Sequence, residues 1–146
     1  MEVVEQLWKR EKIRERLTIY CKAIDEKDWE LLRSCFGPGH SHTHGPFSGD
    51  TEGFIEFAKD ILENFVFTQH NLSNFLIELS EDGLSATSVC NFSAVHRTPE
   101  DDDGAAVDMI VEGQYRDRLV CIDGDWLFTK RIGNNAWVRH DPVPKI

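Results

Sequence analysis

The sequence predicts an α+β domain in which three helices pack on one side of a curved antiparallel sheet. Apolar residues repeat at helical spacing in three segments of the first 65 residues. From Val66 onward the period changes, and long extended segments alternate with strong turn signals. A length of 146 residues suits one domain, residues 1–146, with room for a sizeable core. We therefore expect helices and strands to share one core.

The first helix is predicted over residues 3–24 and the second, with an acidic start, over residues 29–36. The sequence Gly37-Pro38-Gly39 ends the second helix, and a short extended piece follows around residues 40–47. A third helix begins near Thr51 and carries an apolar face as far as Phe65. The inward stripe of the first helix consists of Leu7, Ile13, Leu17, Tyr20 and Ile24.

Four long strands are predicted after residue 66, because three turn signals divide that region. The turns are residues 81–83, 99–104 and 123–124, and their hairpin spacing predicts an antiparallel sheet. In residues 107–121 apolar side chains such as Val111 and Tyr115 share one face of the strand, and polar side chains share the other. One face of the sheet should therefore be core and the other wet.

The net charge of −10, from 16 basic and 26 acidic residues, argues against nucleic-acid and anionic-membrane surfaces. Residues 48–103 hold 12 acids and 2 bases, so we expect the whole excess on the third helix and two acidic turns, facing solvent. A hydrophobic fraction of 40% is too high for disorder, and 29% charged residues are too many for a membrane protein. An ordinary globular domain remains.

The four cysteines lie far apart and form no CxxC pair, so the sequence contains neither a zinc knuckle nor a redox motif. The N-terminal residues have no apolar run long enough for a signal peptide or a membrane span. We expect a reduced, cytoplasmic protein.

Tyr20 and Asp25, at the end of the first helix, are the first candidates for chemistry. Both side chains can point into the space between helix and sheet. In the alternative interpretation Asp25 caps the second helix, which begins near Asp28, and Tyr20 is an ordinary core residue.

His70 shares strand parity with Val66, Thr68, Leu72 and Leu76 and should therefore point inward. An aspartate partner would fix its tautomer and make the pair a general base. Alone, it would be a hydrogen-bonded core histidine.

His96 shares parity with the inward residues Cys90, Phe92 and Ala94, so it can act with His70 as acid and base on one small molecule. Alternatively it lies at an exposed strand end. His40, His42 and His44 alternate along the extended piece; this spacing offers metal ligands but is more typical of a solvated loop, and we expect no metal.

Five motifs, in order along nearly the whole chain, resemble SnoaL-like proteins of the nuclear transport factor 2 superfamily. That superfamily includes scytalone dehydratase, bile-acid dehydratase and hexachlorocyclohexane dehydrochlorinase. Each motif alone is weak, and their common order is more specific. They are residues 20–32 (YCKAIDEKDWELL), 44–49 (HGPFSG), 69–74 (QHNLSN), 113–117 (GQYRD) and 124–131 (GDWLFTKR).

The resemblance implies a cone-shaped, cystatin-like fold with an apolar cavity. It also implies that Asp25 and His70 match the proton-abstracting pair of the eliminating members, and that Tyr20 matches a tyrosine that hydrogen-bonds substrate oxygen. His96 falls near a second dehydratase histidine, and Arg131 falls where the dehydrochlorinase has an arginine. Tyr115 and Asp117 match a family pattern. The dehydrochlorinase has lysine in place of the tyrosine, so no specific activity transfers.

Taken together, these features predict a lyase or isomerase that needs no cofactor and acts on a small, largely apolar oxygenated molecule. His70 would take a proton, Asp25 would hold the imidazole, and Tyr20 would stabilise the oxyanion, with His96 protonating the leaving hydroxyl. The alternatives are a binding module for a hydrophobic ligand and a small subunit of a larger enzyme. We expect a homodimer or homotrimer with no nucleic-acid or membrane partner. The residues expected to contact substrate are Arg131, Tyr115, Phe92 and Trp29.

Overall fold

The computed structural model describes residues 1–144, which form three helices and six strands. Within this range no helix is long and apolar enough to cross a membrane. The helices are α1 (Val3–Glu26), α2 (Trp29–Ser34) and α3 (Thr51–Leu62); the strands are β1 (Phe36–His44), β2 (Phe47–Gly49), β3 (Phe67–Leu79), β4 (Ser85–Arg97), β5 (Val107–Ile122) and β6 (Asp125–Pro142).

The six strands form one sheet in the order β2-β1-β6-β5-β4-β3. Hairpins join β3, β4, β5 and β6, and these strands pair antiparallel as predicted. β1 pairs parallel to β6, so the sheet is mixed, and the prediction of a wholly antiparallel sheet is wrong at this one pairing. The reason is connectivity: no hairpin joins β1 to β6, so no turn sets their relative direction. The predicted α+β architecture is confirmed.

Helix α1 packs against the sheet through Ile13, Leu17, Tyr20 and Ile24, all of which are buried. Leu7, which the periodicity placed on the same stripe, is 59% exposed. The first two turns of α1 keep the helical spacing of apolar residues but lie outside the core, because no other described element packs against them. Lys27 caps the end of α1, and its backbone adopts a left-handed conformation with φ 54°.

Helix α3 starts at an Asp50 cap whose side chain accepts from the backbone N–H of Gly53 at 2.9 Å. Its inner face carries Phe54, Ile55, Ala58 and Leu62, all buried. The acidic residues of its outer face are exposed, as are those of the two acidic turns. The charge excess therefore lies on the surface, as the sequence predicted.

Strand β3 changes face at a bulge between Ser73 and Leu76, where Asn74 has φ 55°. Before the bulge Thr68 is buried as predicted, but after it Leu76 is 61% exposed and Ile77 is buried. The constant parity that placed Leu76 inward is wrong, because one extra residue inverts the alternation. His70 lies before the bulge and keeps its inward orientation.

Candidate active site

Asp25 lies in the last turn of α1 and accepts three hydrogen bonds from β3. Its Oδ1 accepts from Thr68 Oγ1 at 3.0 Å and from His70 Nδ1 at 2.7 Å, and its Oδ2 accepts from the His70 backbone N–H at 2.9 Å. Asp25 does not cap α2, because Asp28 does so by accepting from the Leu31 backbone N–H at 3.0 Å. Three donors fix the orientation of this carboxylate.

His70 is held by this carboxylate in one tautomer. An ionised carboxylate only accepts, so the bond at 2.7 Å requires a proton on Nδ1. Nε2 is then left with a lone pair, and the ring lies in the wall of a cavity. The side chain is 9% exposed, which shields the pair from solvent. A neutral imidazole held in this way has the chemistry to accept a proton at Nε2.

His96 lies beside His70 on the neighbouring strand β4, with the ring centroids 5.4 Å apart and the planes at 83°. It is 8% exposed, so the alternative of an exposed strand end is wrong. Its Nδ1 donates to the backbone carbonyl of Met109 at 3.3 Å, and burial lowers its pKa to about 4. At neutral pH His96 is therefore uncharged and has no proton on Nε2. This state does not suit the predicted role as the acid for a leaving hydroxyl.

Tyr20, Phe92 and Tyr115 all contribute to the cavity wall. Burial raises the pKa of both phenols, so each remains protonated and able to donate. The rings of Phe92 and Tyr115 stack with centroids 4.4 Å apart.

The cavity between helices and sheet has a volume of about 240 Å³. α3 provides one apolar side, and the concave face of the sheet provides the other. The polar groups at its wall are few, as is usual for a site that binds a small organic molecule. The lining consists of Tyr20, Ile24, His44, Gly45, Pro46, Phe54, Phe57, Ala58, Ile61, Leu62, His70, Phe92, Ala94, His96, Met109, Val111, Tyr115 and Asn135.

Two residues expected to contact substrate lie elsewhere: of the described residues, the wall includes neither Trp29 nor Arg131. Trp29 begins α2 and packs against the core. Arg131 is fully buried one layer behind the wall, with its guanidinium 4.1 Å from the ring centre of Tyr20 and 4.0 Å from that of Tyr115.

The charge of Arg131 is balanced by Asp117 on the adjacent strand. Nε and one terminal nitrogen donate to the two carboxylate oxygens at 2.7 and 2.8 Å, and Ser88 Oγ donates to the same carboxylate at 3.1 Å. Both side chains of the ion pair are 0% exposed. The geometry makes Arg131 a structural support for the two tyrosines rather than a substrate contact.

The three alternating histidines form part of β1, and the expectation of a solvated loop is wrong. His40 and His42 are 4% and 1% exposed, because β1 pairs with β6 and is covered by α3. His40 stacks on Phe36, and His42 stacks on Phe54 with centroids 3.5 Å apart. Across residues 1–144 no three His, Cys, Asp or Glu side chains converge as metal ligands.

Sequence reasoning missed two polar groups of the wall, His44 and Asn135. His44 belongs to the alternating histidines and to the 44–49 motif, neither of which predicts a place in the cavity wall, and Asn135 lies in a polar stretch of β6 that shows no alternation. Thr68 shares the strand parity of His70, which predicts that it points inward but does not identify its bond to Asp25.

Solved structures share this fold over nearly the full chain. A candidate scytalone dehydratase from Novosphingobium aromaticivorans DSM 12444 is 23% identical with a TM-score of 0.84, covering 94% of this chain and 91% of that one. A hexachlorocyclohexane dehydrochlorinase is 16% identical with a TM-score of 0.79, covering 99% and 95%. A cystatin-like protein of unknown function from Nostoc punctiforme PCC 73102 is 18% identical with a TM-score of 0.70, covering 92% and 93%.

At these identities the structures establish the fold and leave the reaction open. No curated protein matches the sequence. The model of the SnoaL-like domain matches residues 5–132, which include both members of the Asp25–His70 pair and the whole of α3. This match covers most of the chain, and the chain therefore belongs to the SnoaL-like domain family.

Proposed function

We propose that the protein is a cofactor-free lyase or isomerase that removes a proton next to a carbonyl group of a small, largely apolar molecule. One observation carries the proposal: His70, held by Asp25 at 2.7 Å, has its unprotonated nitrogen available in an apolar cavity. The dehydratase and dehydrochlorinase neighbours support a lyase-type reaction for this fold.

The cavity volume limits the substrate. Its volume of about 240 Å³ lies below the roughly 300–1,000 Å³ of pockets that bind drug-sized ligands, which favours a compound of one or two rings.

Proton removal is the first step. Nε2 of His70 takes the proton from the carbon next to the carbonyl, and the electron pair of the broken C–H bond forms an enolate. The imidazolium produced lies beside the Asp25 carboxylate, which stabilises its charge; at 4 Å such a pair gains about 4 kcal/mol at an effective dielectric constant of 20. The hydrogen bonds from Thr68 and the His70 backbone keep the carboxylate in place.

The enolate oxygen needs a donor, and Tyr20 is the protonated phenol of the wall that lies on the same helix as Asp25. A hydrogen bond aimed at an oxyanion in a water-poor site accounts for a large share of rate enhancement in such reactions.

The enolate then collapses in one of two ways. In a lyase the neighbouring C–O bond breaks. The leaving hydroxyl group takes the proton from the His70 imidazolium and departs as water. In an isomerase the same proton goes to a different carbon. Neutral His96 accepts a hydrogen bond at Nε2 and orients the hydroxyl, since its Nδ1 is committed to Met109.

The test uses 1-indanone, a two-ring ketone with exchangeable protons next to its carbonyl. In D₂O the wild-type protein should accelerate deuterium incorporation, followed by NMR. His70→Gln should lower that rate by about 10²–10⁴, and Gln69→Glu on the exposed side of β3 is the matched control. Equal rates for wild type and His70→Gln would contradict the proposal. Binding of the ketone without any exchange would favour the binding-module alternative.

A further inference from the structure

The cavity has a second polar pair at a distance from Asp25 and His70. His44 on β1 and Asn135 on β6 both line the wall, and His44 Nε2 lies 3.3 Å from Asn135 Oδ1. Neither residue takes part in the proton transfer described above.

The two polar sites lie toward opposite edges of the sheet. Strands β6, β5 and β4 separate β1 from β3, so His44 and His70 are four strand spacings apart. At about 4.8 Å per spacing this is roughly 19 Å along the sheet, and its curvature brings both residues to one cavity. His70 and Asn135 line the same cavity from different strands, so one ligand can contact both.

Hydrogen-bond donors and acceptors decide what Asn135 offers. Its amide oxygen accepts from His44 Nε2, which leaves the amide nitrogen as the donor for a ligand. Burial lowers the pKa of His44 to about 4, so the ring is neutral and its Nδ1 carries no proton. Asn135 lines the cavity and is itself exposed, so the amide N–H is the group that it can offer to a ligand.

The ring of His44 is held in place by a glycine. A Cβ atom on Gly133, its partner residue on β6, would lie 2.5 Å from His44 Nδ1. Any larger residue at position 133 would push the ring away from Asn135.

The wall also defines the charge of the ligand. Among the described residues that line the cavity there is no lysine and no arginine. A carboxylate or phosphate group would enter without a cation to balance it, so the wall disfavours an anionic ligand.

We propose that Asn135, positioned by His44 and Gly133, donates a hydrogen bond to an acceptor oxygen at the end of the ligand remote from the carbon that loses its proton. The ligand class is a neutral molecule of one or two rings with an oxygen function at each end. The orientation of the ligand relative to His70 rests on the proposed function, whereas its hydrogen bond with Asn135 does not.

The test compares two probes, 1-indanone and 5-methoxy-1-indanone, which differ by an acceptor oxygen at the far end. Dissociation constants are measured by ligand-observed NMR. Wild type should bind the methoxy probe about five- to tenfold more tightly, the usual effect of one net hydrogen bond. Asn135→Leu should abolish this preference.

Two variants at position 44 separate positioning from packing. His44→Leu removes the donor to Asn135 Oδ1 and should weaken the preference, whereas His44→Gln supplies another N–H and should restore it in part. Circular dichroism and thermal unfolding check that each variant is folded.

Equal affinity of wild type for the two probes, no binding of the methoxy probe, or an unchanged preference in Asn135→Leu would each overturn the proposal. The preference is a ratio of dissociation constants and needs no turnover. It therefore stays measurable even if His70 proves not to be a base.

Discussion

The buried ion pair between Arg131 and Asp117 gives a quantitative prediction about what supports the cavity. Asp117→Asn keeps the shape of the side chain but removes the negative charge opposite Arg131. The guanidinium, with 0% exposure, would then be a buried charge without a counterion.

The magnitude follows from the surroundings of the pair. Removing one partner of a fully buried, doubly hydrogen-bonded pair costs about 3–5 kcal/mol. The rings of Tyr20, Tyr115 and Phe128, whose centres lie 4.0–4.4 Å from the guanidinium, remain in the variant and offset part of the loss. We therefore expect Asp117→Asn to lower the free energy of unfolding by about 3 kcal/mol, near the lower limit.

The matched control is Asp108→Asn. Asp108 binds Arg97 across β4 and β5 with two bonds of 2.8 Å, but the Arg97 side chain is 42% exposed. A solvent-exposed pair contributes at most about 1 kcal/mol. Bond geometry is nearly the same in the two pairs, so burial is the main difference between the variants.

The assay is urea unfolding followed by tryptophan fluorescence for wild type, Asp117→Asn and Asp108→Asn. The double variant Asp117→Leu with Arg131→Met should recover much of the lost stability, because it leaves no unpaired charge. Losses of less than 1 kcal/mol for Asp117→Asn, or equal losses for the two single variants, would refute the structural role given to Arg131.

Three further predictions concern the histidines and Asp25. His42→Phe should raise the free energy of unfolding by about 1 kcal/mol in urea titrations, because both ring nitrogens of His42 are buried with no hydrogen-bond partner among residues 1–144 and its ring already stacks on Phe54; a loss of stability would contradict this. Burial lowers the pKa of His40 and His96 from 6.5 to about 4, so in this interval the unfolded chain binds protons that the folded chain does not. Stability should fall by about 1.4 kcal/mol per pH unit for each histidine as the pH drops from 6.5 to 4, and unfolding at several pH values should show a smaller slope for His40→Gln. Thr68→Val, which removes one hydrogen bond to Asp25, should slow deuterium exchange of 1-indanone about tenfold with little change in its dissociation constant; an unchanged rate would mean that this bond does not position the pair.

The fold was predictable because each element carried its own local signal. Helical periodicity identified α1 and α3, and three turn signals separated β3, β4, β5 and β6. The parallel pairing of β1 with β6 could not be predicted, since no local pattern encodes which distant strand a short extended segment joins. The bulge after Ser73 could not be predicted either, because one inserted residue does not change the composition of the strand.

At the site, the end of the first helix predicts the position of Asp25, and strand parity predicts that of His70. The structure places Asp25 Oδ1 2.7 Å from His70 Nδ1. Motif position alone assigns Trp29 and Arg131 to the substrate, and both residues lie outside the cavity wall. Where side chains such as these two lie depends on packing between helices and strands, which motif position does not predict. Arg131 points inward like a core residue because Asp117 on β5 neutralises it, which only the pairing of β5 with β6 brings about.

The central claim is that Asp25 holds His70 with its proton on Nδ1 and a free lone pair on Nε2. The most direct test is ¹⁵N NMR of the His70 imidazole at mildly alkaline pH, in wild type and in Asp25→Asn. We predict a protonated Nδ1 and an unprotonated Nε2 in wild type, and loss of this single tautomer in Asp25→Asn. A wild-type His70 with its proton on Nε2 would contradict the account, because no lone pair would then be available to take a proton from the ligand.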